Sequence, residues 1–179
     1  GDVYKRQLMM SVKNEKDNIL PTVTQIIKKG NVVPWLWNYA GIVPPLSVLT
    51  VGVAGTGVNV TAPEPDSIVR KMPILIAIGE KIYPSMLIEN VRAINKSKRI
   101  KVIAKEHGID EVLVSKKAGI PVNHNAEMYI NYADPKKYTH ISADHILSSN
   151  FDPNTLQGKI VIVGLDAAGL SVLKYTPFG

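Results

Sequence analysis

Asn59-Val60-Thr61-Ala62-Pro63-Glu64-Pro65-Asp66-Ser67-Ile68-Val69-Arg70-Lys71-Met72-Pro73-Ile74-Leu75-Ile76-Ala77-Ile78 is the stretch on which the fold turns, with Gly79-Glu80-Lys81-Ile82-Tyr83-Pro84-Ser85 directly behind it. Pro63 and Pro65 fix φ and stiffen a polar bend. Val58 to Val60 reads as a strand and Ile68 to Ile78 as its longer partner. Met72 to Ile78 is apolar at every position, with only Pro73 unable to donate to a ladder. That pattern belongs to a central strand covered on both faces, not to a half-exposed one. Gly79-Glu80-Lys81 turns the chain into Ile82-Tyr83. Pro84 suits the first turn of a helix running to about Asn95, with Leu87, Val91 and Ile94 on one side.

Upstream, Leu8 to Val12 is a short apolar run of strand character and Asn14 to Asn18 is turn-like. Leu20 to Val33 reads as a short helix or an irregular excursion. Trp35, Trp37 and Tyr39 alternate around Leu36 and Asn38, the spacing of an extended segment packed on the body. Pro44 and Pro45 suit a helix start, after which Leu46, Leu49, Val53 and Ala54 share a face until Gly55 and Gly57 end it. Gly30 to Pro63 contains no charged residue, yet its prolines and glycines break any helix of the about 20 residues needed to cross a bilayer. A buried segment or an interface is the better reading.

Downstream, Ile100 to Ala104 and Glu111 to Val114 are strands around the His107-Gly108 turn. Ile120-Pro121-Val122 is extended, Asn123-His124-Asn125 turns, and Met128 to Tyr132 is a further strand. Ser142 caps a short helix through Ile146-Leu147, with Asp144 near the positive end of its dipole. Asp152-Pro153-Asn154 breaks the chain before Lys159 to Val163, the clearest strand pattern of all. The sum is one α/β domain: a mixed central β-sheet flanked by helices.

The chain of 179 residues suits one domain with its own core. Its net charge of +6 is concentrated in Asn95-Lys96-Ser97-Lys98-Arg99-Ile100-Lys101, which has no interleaved aromatic residue. Such a cluster is commonly a solvated helix end, and no nucleic-acid partner is expected. With no cysteine, disulfides and zinc-thiolate sites are excluded. Asp2-Val3-Tyr4-Lys5-Arg6-Gln7 reads as the translated end of a sequencing adapter. Residues 1-7 are therefore set apart as an artefact and residues 8-179 taken as the domain, the natural protein being expected to begin upstream.

Chemistry is sparse. Gly164-Leu165-Asp166-Ala167-Ala168-Gly169 has the glycine spacing of a phosphate loop, but Leu170 stands where the lysine belongs. The glycines serve a tight turn instead. Asp166, at the carboxyl end of a strand, is either a pocket anchor or a turn carboxylate bonding nearby backbone. Arg70 can offer its planar fork to an anionic ligand or to Asp66, and closing the bend is the commoner use. His107, His124, His140 and His145 are scattered without ligand spacing, so no metal is expected. No catalytic constellation and no cofactor motif is present, and no enzymatic activity is expected of this chain.

The ordered series of segments resembles the second family of CHASE sensory domains. The matching pieces are Gly57-Val58-Asn59-Val60 through Pro65-Asp66, Val69 to Pro73, Tyr83-Pro84-Ser85, Met128 to Tyr132, Ile141-Ser142-Ala143, Leu156 to Gly164, and Thr176-Pro177. The family usually carries glycine where this chain has Ser67, so the turn there is expected to tolerate a side chain. The resemblance implies a sensor domain on the periplasmic side of the cell membrane. It also implies a small-molecule or envelope stimulus, a homodimer formed through the parent receptor, and membrane helices outside the present chain. The implied output is an adenylate/guanylate cyclase or a histidine kinase. Within such a sensor, Asn59, Arg70, Tyr83 and Asp166 are the residues offered to a ligand, and the uncharged Gly30 to Pro63 segment is a candidate interface. A soluble α/β binding or enzymatic domain and a non-sensing envelope interaction domain stand as alternatives.

Overall fold

A computed structural model describes residues 24–42, 44–45, 53–61, 64–115, 118–164 and 175–178. They fall in two compact units, Gly1–Ile130 with Leu173–Gly179, and Asn131–Val172. The class is α/β with mixed pairing, as expected, and the strands are distributed over three small sheets. The expected strand at Leu8–Val12, the turn at Asn14–Asn18 and the turn from Leu165 to Leu170 lie outside the described residues, as does most of the helix expected from Leu46; its last two positions, Val53 and Ala54, are described and are exposed and not helical.

In the first unit the largest sheet has four strands in the order β1-β6-β7-β8. Strand β6 (Arg99–Lys105) forms an antiparallel hairpin with β7 (Gly108–Ser115), and β7 pairs antiparallel with β8 (Ala118–Ile120). Alternation explains the first of these: Ile100, Val102 and Ala104 are buried while Arg99, Lys101 and Lys105 are exposed. Strand β1 (Gln25–Lys29) joins β6 in parallel, with Ile26 opposite Ile100 and Lys28 opposite Val102. The helix-or-excursion reading of Leu20 to Val33 is thereby corrected. Ile26 packs on the core, and the β-branched pair Ile26-Ile27 fits a pleated ladder better than a helix turn.

The second sheet carries β4 (Leu75–Ile78) between β2 (Trp37–Asn38) and β5 (Lys81–Pro84). Both faces of β4 are covered. Leu75 and Ala77 enter the main core with Ile88, Ile100, Val102 and Val112, whereas Ile76 enters a second cluster with Ile42, Val58, Val60 and Tyr83. The long strand expected over Ile68 to Ile78 is broken at Ile74. Its first part, β3 (Lys71–Pro73), leaves to pair antiparallel with β9 (Glu127–Tyr129). Its expected partner Val58 to Val60 instead makes a single bridge, from Val58 to Ser85.

That bridge explains two of the family segments together. The Val58 N–H donates to the Pro84 carbonyl at 2.8 Å, and the Met86 N–H donates to the Val58 carbonyl at 2.8 Å. A Cβ on Gly57 would stand 2.5 Å from the Met86 Cα, so only glycine lets the chain pass there. Pro84 ends the strand rather than opening the helix. Ser85 is the N-cap of α1 (Met86–Ile94), its Oγ accepting from the Ile88 N–H at 3.5 Å. The buried side of α1 also differs from expectation. Ile88, Glu89 and Arg92 are its buried residues, Leu87 and Val91 line the core's rim, and Ile94 is exposed.

In the second unit, α2 (Ala143–Leu147) has the expected cap, Ser142 Oγ accepting from the His145 N–H at 3.2 Å. Lys159 to Val163 is not a strand. Ile160, Ile162 and Val163 are exposed, and none of the described strands hydrogen-bonds to them. Propensity alone does not make a strand, because the ladder must supply a partner. Here the 3-10 turn Pro153–Leu156 and Gly158, at φ 69°, lead the chain away unpaired. No helix among the described residues is long and apolar enough to cross a membrane.

Candidate functional site

The bend that opens the decisive stretch is a closed electrostatic knot. Glu64-Pro65-Asp66-Ser67 forms a turn in which the Ser67 N–H donates to the Glu64 carbonyl at 2.8 Å. The Asp66 carboxylate accepts from the Ile68 N–H at 3.0 Å. Arg70 spans the bend, one guanidinium nitrogen 2.7 Å from Glu64 Oε2 and another 2.7 Å from Asp66 Oδ2. The hydrogen bond from Arg70 and the Ile68 amide hold the Asp66 carboxyl below the usual carboxylate range. Asp66 and Glu64 in turn raise the already high pKa of Arg70. The parallel bridge from Ile68 to Tyr175 seats the segment that carries Thr176-Pro177 beside this bend.

Ser67 adopts φ 63°, the left-handed conformation that glycine takes without cost. The turn is therefore of the glycine type and carries a side chain under strain, rather than being one suited to side chains. Ser67→Gly relieves about 1–2 kcal/mol of that strain and gives back roughly 0.4–1 kcal/mol to the freer unfolded chain. A net gain of about 0.5–1 kcal/mol is expected in urea denaturation, and a loss would contradict the turn assignment.

Next to the knot, the β3–β9 register assembles a second group. Lys71 lies opposite Tyr129 and Pro73 opposite Glu127, so all four project from one face. Glu127 is buried and held by two side chains: Trp37 Nε1 donates to its Oε1 at 2.9 Å, and Asn123 Nδ2 donates to its Oε2 at 2.7 Å. Asn123 is itself locked, its Oδ1 accepting from the Glu127 and Asn125 amides at 2.9 and 3.0 Å. The Lys71 ammonium stands 3.9 Å from Glu127 Oε2, 3.9 Å from Glu64 Oε1 and 5.6 Å from the centre of the Tyr129 ring. It reaches neither carboxylate at hydrogen-bond distance, and Glu64 Oε1 is buried without a hydrogen-bond partner among the described residues. Burial, and then the charge of Glu127, push the Tyr39 hydroxyl above its ordinary value.

Of the four residues read from sequence, Arg70 joins this constellation through Glu64. Tyr83 is buried in the second core cluster, where burial raises its pKa, and Asn59 is exposed beside the buried Val58 and Val60. Asp166 lies outside the described residues. Glu64, Lys71, Glu127, Trp37 and Tyr129 escaped the sequence reading as a group, because cross-strand register and not spacing brings them together. The alternation of Trp37 and the basic pair Arg70-Lys71 were the available signals.

Tyr39 and Tyr83 give a pH test. Both are raised, so the fold favours their neutral forms. That stability is complete below the ordinary tyrosine value of about 10 and is lost as pH rises through the folded values. A phenolate absorbance titration is expected to show a late-ionising component that Tyr39→Phe and Tyr83→Phe each diminish.

The second unit holds a shallow cavity of about 450 Å³ lined by His140, Ser142, His145, Phe151, Asp152 and Thr155, among others. His145 meets Phe151 edge-on, the ring centres 5.6 Å apart. No group of three His, Cys, Asp or Glu among the described residues forms a metal-binding set.

The described residues of this α/β domain thus present a face of paired charges flanked by the Trp37 and Tyr129 side chains. The chain matches the family model of the CHASE2 domain over residues 5–179, and it belongs to that family. CHASE2 domains are extracellular sensor domains of membrane receptors, which gives this chain a sensing role and not a catalytic one. Comparison with curated proteins and with solved structures gave no match.

Proposed function

We propose that the chain senses a small-molecule or envelope stimulus on the periplasmic face of a bacterial receptor, and relays it to an adenylate/guanylate cyclase or histidine kinase within a homodimer. The observation that supports this reading is the junction at Glu127. Residues from β2, the Glu64–Arg70 bend, β3, Asn123 and β9 meet around one buried carboxylate. A ligand that binds this junction better in one arrangement than in another shifts the packing of all these segments at once, as population shift requires. The uncharged Gly30 to Pro63 segment also contributes Val32, Leu36, Ile42, Val58 and Val60 to the interior, so an interface there would rest on exposed residues such as Trp37 and Val53.

Sequencing the gene on both sides of this segment is the test. Flanking membrane helices followed by a cyclase or kinase catalytic domain are expected. An open reading frame that encodes no output domain would overturn the relay and favour an envelope interaction domain.

A further inference from the structure

We infer that the face around Glu127 is a cage for primary ammonium groups and that Lys71 is its built-in occupant. The inference rests on the sensor-site reading above and names the ligand class of that site. Three carboxylates (Glu64, Asp66 and Glu127) face two cations (Arg70 and Lys71), leaving one negative charge in excess. Both guanidinium nitrogens of Arg70 that reach a carboxylate do so at 2.7 Å, so its fork is occupied and unavailable to an anion. The remaining features select a cation. Glu64 Oε1 and Glu127 Oε2 flank one point, and the Tyr129 ring, itself largely exposed, offers its negative face to that point.

Lys71 fills the point poorly. At 3.9 Å from both oxygens its ammonium makes no hydrogen bond to either, and Glu64 Oε1 accepts none from any described residue. A free primary amine, not tethered to β3, can approach both oxygens at the about 2.8 Å of a charge-assisted hydrogen bond. Lys71 is partly exposed and can swing outward to let it in. A metal ion fits less well, because the described carboxylates do not converge into a metal-binding set. Entry of the amine also bears on Trp37, whose indole N–H is bonded to the same Glu127 carboxylate. The cage thus joins occupancy to the position of β2.

The test is calorimetric titration of the full 179-residue chain with 1,5-diaminopentane, and with tetramethylammonium as the cation that cannot donate hydrogen bonds. Lys71→Met vacates the cage and is expected to bind the diamine at least about tenfold more tightly than the unaltered chain, because a competing internal ligand is removed. Adding Glu127→Gln to Lys71→Met is expected to weaken that binding at least about tenfold. Tetramethylammonium is expected to bind Lys71→Met at least about tenfold more weakly than the diamine does. A folded Lys71→Met variant that binds the diamine no better than the unaltered chain overturns the inference, as does binding indifferent to Glu127→Gln or equal for the two cations. If Lys71→Met fails to fold, Lys71→Gln carries the same comparison. These titrations read the ligand class alone: failure here, with a cyclase or kinase domain present in the gene, rejects amines and leaves the sensor reading standing.

Discussion

Arg92→Ala is expected to destabilise the chain by about 3–5 kcal/mol, the cost typical of breaking a buried ion pair from one side. Arg92 and Glu89 are both buried on α1, with Nε 2.7 Å from Glu89 Oε2. The same guanidinium donates to the Ala54 carbonyl at 2.6 Å and to the Ser97 carbonyl, so one side chain ties α1 to the chain entering β6 and to the segment before Gly57. Gly55 lies against the pair so closely that a Cβ there would stand 2.4 Å from Glu89 Oε2. Removing the guanidinium strands a buried carboxylate whose Oε1 already lacks a hydrogen-bond partner among the described residues. The expected fall in melting temperature is roughly 6–20 °C for a chain of this size. Replacing both residues by apolar ones, Glu89→Leu with Arg92→Met, is expected to recover most of the loss, since a well-packed hydrophobic pair often matches a buried ion pair. A single substitution that costs under about 1 kcal/mol would show the pair to be solvated.

Gly30→Ala is the second large effect. Gly30 ends β1 at φ 83°, and a Cβ there would fall 2.3 Å from the Ala104 carbonyl oxygen. The left-handed conformation costs a side chain about 1–2 kcal/mol, and forcing atoms into backbone adds about 1–3 kcal/mol. A loss of roughly 2–5 kcal/mol is expected from the two together. It should concentrate where β1 leaves β6, near Lys29 opposite Ile103. Amide exchange in residues 25–29 and 99–105 is therefore expected to accelerate more than exchange in β4 and β5. Uniform acceleration would mean that β1 and the second sheet open as one unit.

The parts of this fold that were legible in the sequence are those whose signal is local. Apolarity on both sides of Leu75–Ile78 announced a strand between two cores, and His107-Gly108 announced the turn between the strands on either side of it. Ser142 announced a cap, and Pro65-Asp66 a turn. The rest depended on partners distant in sequence. Gln25–Lys29 became a strand because β6 offers an edge, while Lys159 to Val163, with a better pattern, has no such edge among the described strands. Glu89 and Arg92 resemble a solvated pair on a helix until residues 54–57 cover them. The candidate site was the least legible of all. Arg70 was visible with Asp66 four residues away, but Glu127 lies 90 residues from Trp37 and only the β3–β9 register places it beside Lys71.

The most direct test of the proposed sensing site is its location. Proton–nitrogen correlation spectra of the full chain should be recorded during titration with 1,5-diaminopentane. The largest shifts are expected at the Trp37 indole, the Asn123 side-chain amide and the backbone amides of Lys71 and Tyr129. Shifts centred instead on the His140–Thr155 cavity, or none at these four positions at saturating amine, would contradict the assignment of the Glu127 junction as an amine site.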